Sequence, residues 1–141
     1  MTHIFSWPNC CAALVTGAGR GIGRAIAIAF AAEGAAVALS ARSTNELQEV
    51  VAVIKAAGGR AIAVDVDLTD RAACRALLPR VKAALGGTVD ILVNNAGVGS
   101  SADPNPVVDF NDASWDLQFD VNVHAPYLLC KAALPDMVVQ K

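Results

Sequence analysis

A glycine-rich stretch near the amino terminus, Thr16-Gly-Ala-Gly-Arg-Gly-Ile-Gly23, constrains the fold of this chain more than any other part of it. The apolar run before it, Ala12 to Val15, predicts a short buried strand. After it, a helix from residue 22 to residue 33 is predicted by apolar residues at helical spacing, which are Ile22, Ile26, Ala29 and Phe30. A strand, a glycine turn and a helix in this order bring backbone N–H groups and the positive end of a helix dipole to one point. The stretch therefore predicts a binding site for phosphate or pyrophosphate.

Two familiar glycine patterns do not fit this stretch. A G-x-G-x-x-G pattern that begins at Gly17 would need a glycine where Ile22 stands. One that begins at Gly19 would need a glycine where Arg24 stands, and the chain contains no Gly-Lys pair for a phosphate loop. The spacing that remains is G-x-x-x-G-x-G from Gly17 to Gly23, in which glycines let the backbone turn tightly and approach a ligand. A turn with a purely structural role is the alternative.

Composition limits the class of protein. The chain has 141 residues, of which 55% are hydrophobic, and this suits one domain, residues 1–141, whose apolar strands are buried on both faces of a parallel sheet. A net charge of −2 with mixed signs gives no electrostatic case for binding nucleic acid or an acidic membrane. The longest apolar stretch, residues 25–41, is interrupted by Glu33 and Gly34, so it predicts a helix and a strand instead of a membrane span.

The cysteines and the amino terminus predict a cytoplasmic protein. The spacing of a metal site or of a disulfide framework is absent from the four cysteines, Cys10, Cys11, Cys74 and Cys130. We therefore expect reduced thiols and no metal. Residues 1–9 lack the basic residues that precede the apolar part of a signal peptide, so no such leader is expected.

The rest of the chain alternates between predicted strands and predicted helices. Strands are predicted at Ala36–Ser40, Ala61–Val64 and Val89–Val93. After a capping box from Ser43 to Glu46, apolar residues again recur at helical spacing, namely Leu47, Val50, Val51 and Ile54. Two more helices are predicted, one that Thr69 or Asp70 caps, and one from near Asp112 past Asn122 toward Val139. This alternation predicts an α/β fold of Rossmann type, a doubly wound parallel sheet with about four strands.

Polar or glycine-rich turns follow three of the predicted strands, at residues 16–23, 65–70 and 94–97. The carboxyl ends of parallel strands share one rim of the sheet, and nucleotides bind outside that rim. With these turns the sequence resembles the short-chain dehydrogenase/reductase family from about Ala12 to Met137. The residues that carry the resemblance are Thr16 to Gly23, Asp67-Leu68, Asn94-Asn-Ala-Gly97, and Asn122 within Val121-Asn-Val123.

The resemblance implies that the chain binds a nicotinamide cofactor. The pyrophosphate and ribose would be held by Gly17, Gly21, Ile22 and Gly23. Asp67 and Leu68 would contact the adenine, and the residues along the cofactor would be Asn94, Ala96 and Gly97. Asn122 would help to position the water network of a catalytic lysine. Other roles stay open, because Asp67 could cap a turn, and Asn94 with Asn95 could tie neighbouring strands through their amides.

Charge near the second strand bears on which cofactor is bound. An NAD site usually has an acidic residue about 20 residues beyond the glycines, which binds the free ribose hydroxyls. Here no Asp or Glu lies between Glu33 and Glu46, whereas Arg42 follows the second strand and Arg20 lies within the glycine turn. Two guanidinium groups suit a 2′-phosphate, since their donors match its oxygens. We therefore expect NADP(H) in preference to NAD(H), and solvated surface arginines are the alternative.

Tyr127-x-x-x-Lys131 has the spacing of the family's catalytic pair but stands at a different place. In the family that pair and a catalytic serine follow a further strand, whereas Tyr127 is only five residues past Asn122 on the same predicted helix. We therefore expect Tyr127 to serve helix packing. The other serines, Ser100, Ser101 and Ser114, do not stand where the catalytic serine should be. The chain is thus expected to be an N-terminal portion, truncated before its Ser/Tyr/Lys region.

The function expected from the resemblance is that of an NADP(H)-dependent oxidoreductase, which transfers a hydride between nicotinamide and a small carbonyl or alcohol substrate. One alternative is a truncated, catalytically silent fragment that binds nucleotide or pairs with another chain. A nucleotide binder of another Rossmann family is disfavoured by the asparagine motif at residues 94–97 and by Asn122. The fourth predicted strand is apolar and is expected at an edge of the sheet, which favours a homo-oligomer or another partner chain.

Overall fold

Strands and helices alternate along the chain in the computed structural model, which describes residues 11–99 and 104–140. The strands are β1 (Ala12–Thr16), β2 (Ala36–Ser40), β3 (Arg60–Ala63) and β4 (Ile91–Val93). The α-helices are α1 (Gly21–Ala32), α2 (Thr44–Ala56), α3 (Arg71–Leu85), α4 (Asp112–Phe119) and α5 (Ala125–Val139). A 3₁₀ turn, Val107–Asp109, precedes α4, and a π-helical turn, Asp120–His124, joins α4 to α5. Cys10, Ser100 and Ser101 lie outside the described residues.

The four described strands form one parallel sheet in the order β3-β2-β1-β4. In the middle of the sheet, Leu14 of β1 is in register with Ala38 of β2 on one side and with Leu92 of β4 on the other. Every residue of β1 and β2 is buried, as expected for parallel strands that are covered on both faces. The predicted doubly wound α/β fold of Rossmann type is therefore confirmed.

Two apolar clusters cover the two faces of the sheet. Leu14 belongs to a cluster with α3 and α5, in which Leu77 and Leu129 are fully buried. The next residue, Val15, belongs to a second cluster with α1 and α2. Because successive side chains of a strand face opposite sides of a sheet, this alternation puts helices on both faces. The strands run in one direction, so their carboxyl ends open onto the same rim.

The two helices on the α1–α2 face differ in their relation to the sequence pattern. In α2 the residues at helical spacing are all buried: Leu47, Val50, Val51 and Ile54. Helix α1 also forms as predicted, but its buried residues are Gly23, Ala27 and Ala31. Ile22, the first residue of the apolar pattern, is 75% exposed. The pattern identified the buried face of α1 only in part, because Ile26 and Phe30 pack against the second cluster whereas Ala29 is exposed. Gly23 is buried where a Cβ would strike the carbonyl oxygen of Gly17.

Helices α4 and α5 form one helical segment with the π-helical turn between them, at the place where the sequence predicts the last helix. Helix α5 packs against α3 in the apolar cluster, and Lys82 of α3 forms an ion pair with Asp136 of α5 at 2.5 Å. The π-helical turn was not predicted. As for membranes, the described part of the chain contains no helix with the length and apolar character needed to span one.

Candidate cofactor-binding site

A cavity of about 900 Å³ opens at the rim where the strands end. Its wall contains most of the predicted cofactor residues: Gly17, Arg20, Gly21, Ile22, Arg42, Asp67, Leu68, Ala96 and Gly97. Polar wall residues that the sequence had not assigned to the cofactor are Ser43, Glu46, Thr69 and Asn95. The cavity therefore lies where nucleotides bind on parallel sheets of this kind.

The glycines of the turn have different structural tasks. Gly17 and Gly21 adopt φ angles of 64° and 55°, a conformation that glycine takes up without strain. Nothing lies within 4 Å of the position that a Cβ on Gly21 would occupy, so this glycine keeps space open on the cavity wall. A Cβ on Gly23 would instead lie 2.3 Å from the carbonyl oxygen of Gly17. Gly23 thus allows α1 to pack closely against the turn and lies outside the cavity wall.

The amino-terminal end of α1 meets the cavity without a side-chain cap. Arg20 precedes the helix in an extended conformation, and no side chain caps the helix there. The first turn of α1 contains no acidic residue, and Gly21 and Ile22 of this turn lie on the cavity wall. Uncapped N–H groups and the positive end of the helix dipole attract anions.

Asn95, and not Asn94, ties the loop after β4 to the glycine turn. The side-chain amide of Asn95 donates to the carbonyl oxygens of Thr16 and Gly17 at 3.0 and 3.3 Å. In return, the hydroxyl of Thr16 accepts a hydrogen bond from the backbone N–H of Asn95 at 3.1 Å. Asn94 is exposed and lies outside the cavity wall, where its amide donates to the sulfur of Cys130 at 3.4 Å. The sequence left open that Asn94 and Asn95 join neighbouring strands through their side-chain amides. In the structure Asn95 has this role.

Asp67 closes its own turn after β3. Its Oδ1 accepts hydrogen bonds from the backbone N–H and the hydroxyl of Thr69 at 3.0 and 2.8 Å. These two hydrogen bonds, with a smaller contribution from the positive charge of Arg42, hold the pKa of Asp67 below its ordinary value. Asp67 therefore stabilises a turn, which was the alternative role left open for it by the sequence. Its ionised carboxylate also lies on the cavity wall.

Glu46 brings a carboxylate to the glycine turn, which its place in the sequence had not indicated. It lies in the first turn of α2, where its backbone N–H donates to the hydroxyl of the N-cap residue Ser43 at 3.3 Å. The capping box is only half formed, because the described hydrogen bonds include none from the Ser43 N–H back to the Glu46 side chain. A Cβ on Gly19 would meet Oε2 of Glu46 at 2.9 Å and its Cβ at 3.0 Å. The Glu46 side chain therefore lies against the glycine turn, on the wall of the cavity that Arg20 and Arg42 also line.

Asn122 lies in the π-helical turn and forms two hydrogen bonds with the loop after β4. Its Oδ1 accepts a hydrogen bond from the backbone N–H of Val98 at 2.9 Å, and its Nδ2 donates to the carbonyl oxygen of Val98 at 2.8 Å. Asn122 itself lies outside the cavity wall, whereas Val98 and Val121 are part of it. Single π-helical turns occur frequently at functional sites. Here the turn presents Asn122 to the loop, so Asn122 positions one side of the cavity.

An ionic network fastens the π-helical turn to the amino-terminal end of α3. Oδ1 of Asp120 lies 3.0 Å from Nη2 of Arg71 and 2.8 Å from Nδ1 of His124. Hydrogen bonds from His124 and Arg71 hold the pKa of Asp120 below its ordinary value. Arg71 directly follows Asp70, whose carboxylate is the N-cap of α3. The network therefore joins two segments that each border the cavity.

Tyr127 does not pack into the helix layer, and the expectation that it would was wrong. The tyrosine is 58% exposed, because the buried side of α5 is formed by Ala125, Leu128, Leu129 and Ala133. Nζ of Lys131 lies 3.4 Å from the Tyr127 hydroxyl. Neither residue lies on the cavity wall. The pair is therefore a surface contact between successive turns of α5.

The residues of the cavity fit a nicotinamide dinucleotide. Arg20 and Arg42 offer charged donors, the end of α1 offers backbone N–H groups, and Gly21 leaves room for the ligand. Apolar wall residues such as Val66 and Leu68 suit a flat base. A metal would need other residues, and within 11–99 and 104–140 no group of three His, Cys, Asp or Glu side chains could hold one.

The family model described as short chain dehydrogenase matches residues 11–141. Among curated proteins, a short chain dehydrogenase of Pseudocercospora fijiensis is 46% identical over 132 residues, which make up 92% of this chain and 41% of that protein. Its similarity thus extends over nearly the whole of this chain.

Two solved structures have the same fold. A metagenomic short-chain oxidoreductase in complex with NADP matches with a TM-score of 0.87 and 44% identity, over 93% of this chain and 58% of that one. L-Sorbose reductase from Gluconobacter frateurii, solved with NADPH and L-sorbose, matches with a TM-score of 0.84 and 34% identity, over 92% and 48%. The chain thus spans about half the length of the proteins described here.

Proposed function

The chain belongs to the short-chain dehydrogenase family, and from this we propose that it binds NADP(H) as the cofactor half of an oxidoreductase acting on carbonyl or alcohol groups. One observation carries the proposal: a cavity at the rim of the sheet combines the glycine turn with two arginines, Arg20 and Arg42. The NADP and NADPH found in the two similar solved structures support the same cofactor.

Different parts of the cavity would hold different groups of the cofactor. The backbone N–H groups of the glycine turn and the positive end of α1 suit the pyrophosphate. Arg20 and Arg42 suit the 2′-phosphate, since guanidinium groups form charged hydrogen bonds with its oxygens. Asn95 and Asn122 keep the loop after β4 in place through their backbone contacts. When bound, the cofactor supplies or accepts the hydride at its nicotinamide ring.

We further propose that residues 1–141 bind the cofactor without completing the reaction. A proton donor must lie within hydrogen-bond reach of the reacting substrate oxygen. The tyrosine and lysine that have the family's spacing, Tyr127 and Lys131, lie outside the cavity wall. These 141 residues would therefore take part in hydride transfer to or from a small molecule only together with a proton donor that is supplied from outside residues 1–141.

Calorimetric titration with NADP⁺ and NAD⁺ tests the cofactor proposal. We expect tighter binding of NADP⁺, and Arg42→Asp should weaken it roughly 10- to 100-fold, since a charged hydrogen bond contributes about 1.5–3 kcal/mol. Arg24→Asp is the matched control, because Arg24 is exposed on α1 and lies outside the cavity wall. Equal affinity of the unaltered chain for both cofactors would contradict the preference for NADP⁺. Binding of neither would overturn the proposal as a whole.

A further inference from the structure

We infer that Glu46 determines cofactor specificity by opposing the two arginines, so that the cavity favours NADP(H) over NAD(H) less strongly than Arg20 and Arg42 alone would. The inference rests on the proposed function, because it concerns the same cavity. It adds a second acidic residue, besides Asp67, to the cavity wall, although the sequence has no Asp or Glu between Glu33 and Glu46.

The Glu46 side chain is fixed against the glycine turn. The half-buried side chain leaves so little room above the buried Gly19 that a Cβ on this glycine would come within 2.9 Å of Oε2. Gly19 has no positive φ, so the glycine is needed there for space and not for its backbone conformation. Gly19 and Glu46 therefore fit together as a pair, and a glycine at position 19 is what lets the carboxylate approach the turn.

The carboxylate of Glu46 is not neutralised by a basic side chain. In the described part of the chain, no ion pair with Glu46 occurs within 4.0 Å, although Arg20 and Arg42 line the same cavity. The capping bond to the Ser43 N–H is also absent among the described hydrogen bonds, so the carboxylate oxygens are not used by the end of α2. The negative charge is therefore available to a ligand in the cavity.

A carboxylate at this place acts oppositely on the two cofactors. It accepts hydrogen bonds from the free ribose hydroxyls of NAD(H), as the acid after the second strand does in NAD sites. It repels the 2′-phosphate of NADP(H), because like charges at short range in a partly buried cavity raise the free energy of the complex. In this chain Arg42 stands after β2, where an NAD site has its acidic residue. The acidic residue comes from the first turn of α2, as Glu46.

The test compares Glu46→Gln with Glu49→Gln. Both variants remove one negative charge from α2, but Glu49 is exposed and lies outside the cavity wall. Each variant and the unaltered chain are titrated calorimetrically with NADP⁺, NAD⁺ and 2′,5′-ADP, a probe that carries the 2′-phosphate without nicotinamide. We expect Glu46→Gln to bind NADP⁺ and 2′,5′-ADP about 3- to 10-fold more tightly. Affinity for NAD⁺ should stay the same or fall, and Glu49→Gln should change none of the three.

The outcomes separate this inference from the proposed function. If Glu46→Gln leaves the ratio of NADP⁺ to NAD⁺ affinity unchanged while the unaltered chain binds both, the inference is wrong and the proposed function stands. Equal tightening toward NADP⁺ and NAD⁺, or an equal effect of Glu49→Gln, would also overturn the inference, since the effect would not depend on the 2′-phosphate or on the cavity. If the unaltered chain binds none of the three ligands, the proposed function fails and the inference fails with it. Thermal unfolding of each variant confirms that the compared proteins are folded.

Discussion

At the scale of single residues, two glycines of the same turn have opposite surroundings. A methyl group on Gly21 would enter open space on the cavity wall, whereas one on Gly23 would strike the backbone of Gly17. The sequence presents both as members of one motif, yet only one of them borders the space for a ligand. Substitution by alanine separates their contributions to binding and to folding.

Gly23→Ala is expected to lower the free energy of unfolding by about 3 kcal/mol, since the added methyl group meets a backbone oxygen that cannot move aside cheaply. Gly21→Ala should cost about 1–2 kcal/mol, because alanine tolerates a left-handed conformation poorly. Its methyl group should also weaken NADP⁺ binding. Urea unfolding and calorimetric titration measure the two effects. A Gly23→Ala variant as stable as the unaltered chain would contradict this assignment.

Tyr127→Phe should change the free energy of unfolding by no more than about 0.5 kcal/mol, because the side chain is exposed and its hydroxyl accepts a hydrogen bond from Lys131 of 3.4 Å on the surface. The affinity for NADP⁺ should be unchanged, as it should be for the companion variant Lys131→Gln. Urea unfolding and titration of both variants check this. Loss of cofactor affinity in Tyr127→Phe alone would mean that the tyrosine has a role at the cavity.

Strand ends and motifs in the sequence indicate most of the cavity residues, but they do not show contacts between residues that are close in space and far apart in the chain. The sequence indicates Glu46 only as part of a capping box, while in the structure its carboxylate reaches the glycine turn from the first turn of α2. Asn94 and Asn95 are chemically identical neighbours. Only the direction of each side chain, which differs between successive residues of an extended chain, decides which one meets Thr16.

At the scale of elements, the ionic network around Asp120 links the π-helical turn to α3, and it should depend on pH. The lowered pKa of Asp120 means that the folded state binds a proton less readily than the unfolded chain. Its stabilisation is therefore complete above the ordinary carboxyl value of 3.8 and is lost as the pH falls through the lower folded value.

Unfolding in urea should show a higher midpoint for the unaltered chain than for Asp120→Asn at pH 7, since the variant lacks the charge that Arg71 and His124 contact. The difference should shrink when both are measured below pH 3.8. Asp116→Asn on the exposed side of α4 is the control, and its midpoint should follow the unaltered chain. A difference below pH 3.8 that is as large as the difference at pH 7 would contradict the assigned network.

The elements themselves were predictable to different degrees. Helix α2 follows its apolar pattern because large side chains fill the space beneath it. Helix α1 follows its pattern only in part, since Ile26 and Phe30 pack against the second cluster whereas Ile22, beside the glycine turn, is exposed. The π-helical turn leaves no mark in the sequence, as any ordinary helical residues can adopt it when tertiary contacts favour it.

At the scale of the whole molecule, one edge of the sheet is apolar. Among the described strands, β4 pairs only with β1, and its residues Ile91, Leu92 and Val93 are half-buried. An apolar strand with unpaired backbone groups on one side favours pairing with another chain. The order β3-β2-β1-β4 agrees with the order expected for this fold, in which β4 would be an inner strand of a longer sheet.

A purified polypeptide of these 141 residues is therefore expected to form oligomers. It is also expected to show no oxidation of NADPH with a panel of carbonyl compounds, because Tyr127 and Lys131 lie outside the cavity wall. Light scattering coupled to size-exclusion chromatography measures the first property, and absorbance at the nicotinamide band measures the second. The assay includes a short-chain dehydrogenase of known activity as its control. A soluble monomer with enzyme-like turnover would refute both expectations.

The hydrogen bonds between Thr16 and Asn95 also affect the order in which parts of the chain fold. They join residues 79 apart in the chain, whereas β1 and β2 are separated by a single helix. Contacts between distant parts of a chain form slowly, since a long loop must close before they contribute. On a ribosome, β1, α1 and β2 are available to pair well before β4 has been synthesised. The nucleotide cavity is thus expected to be completed at a late step, and a nascent chain should acquire affinity for the cofactor only after its fourth strand has docked.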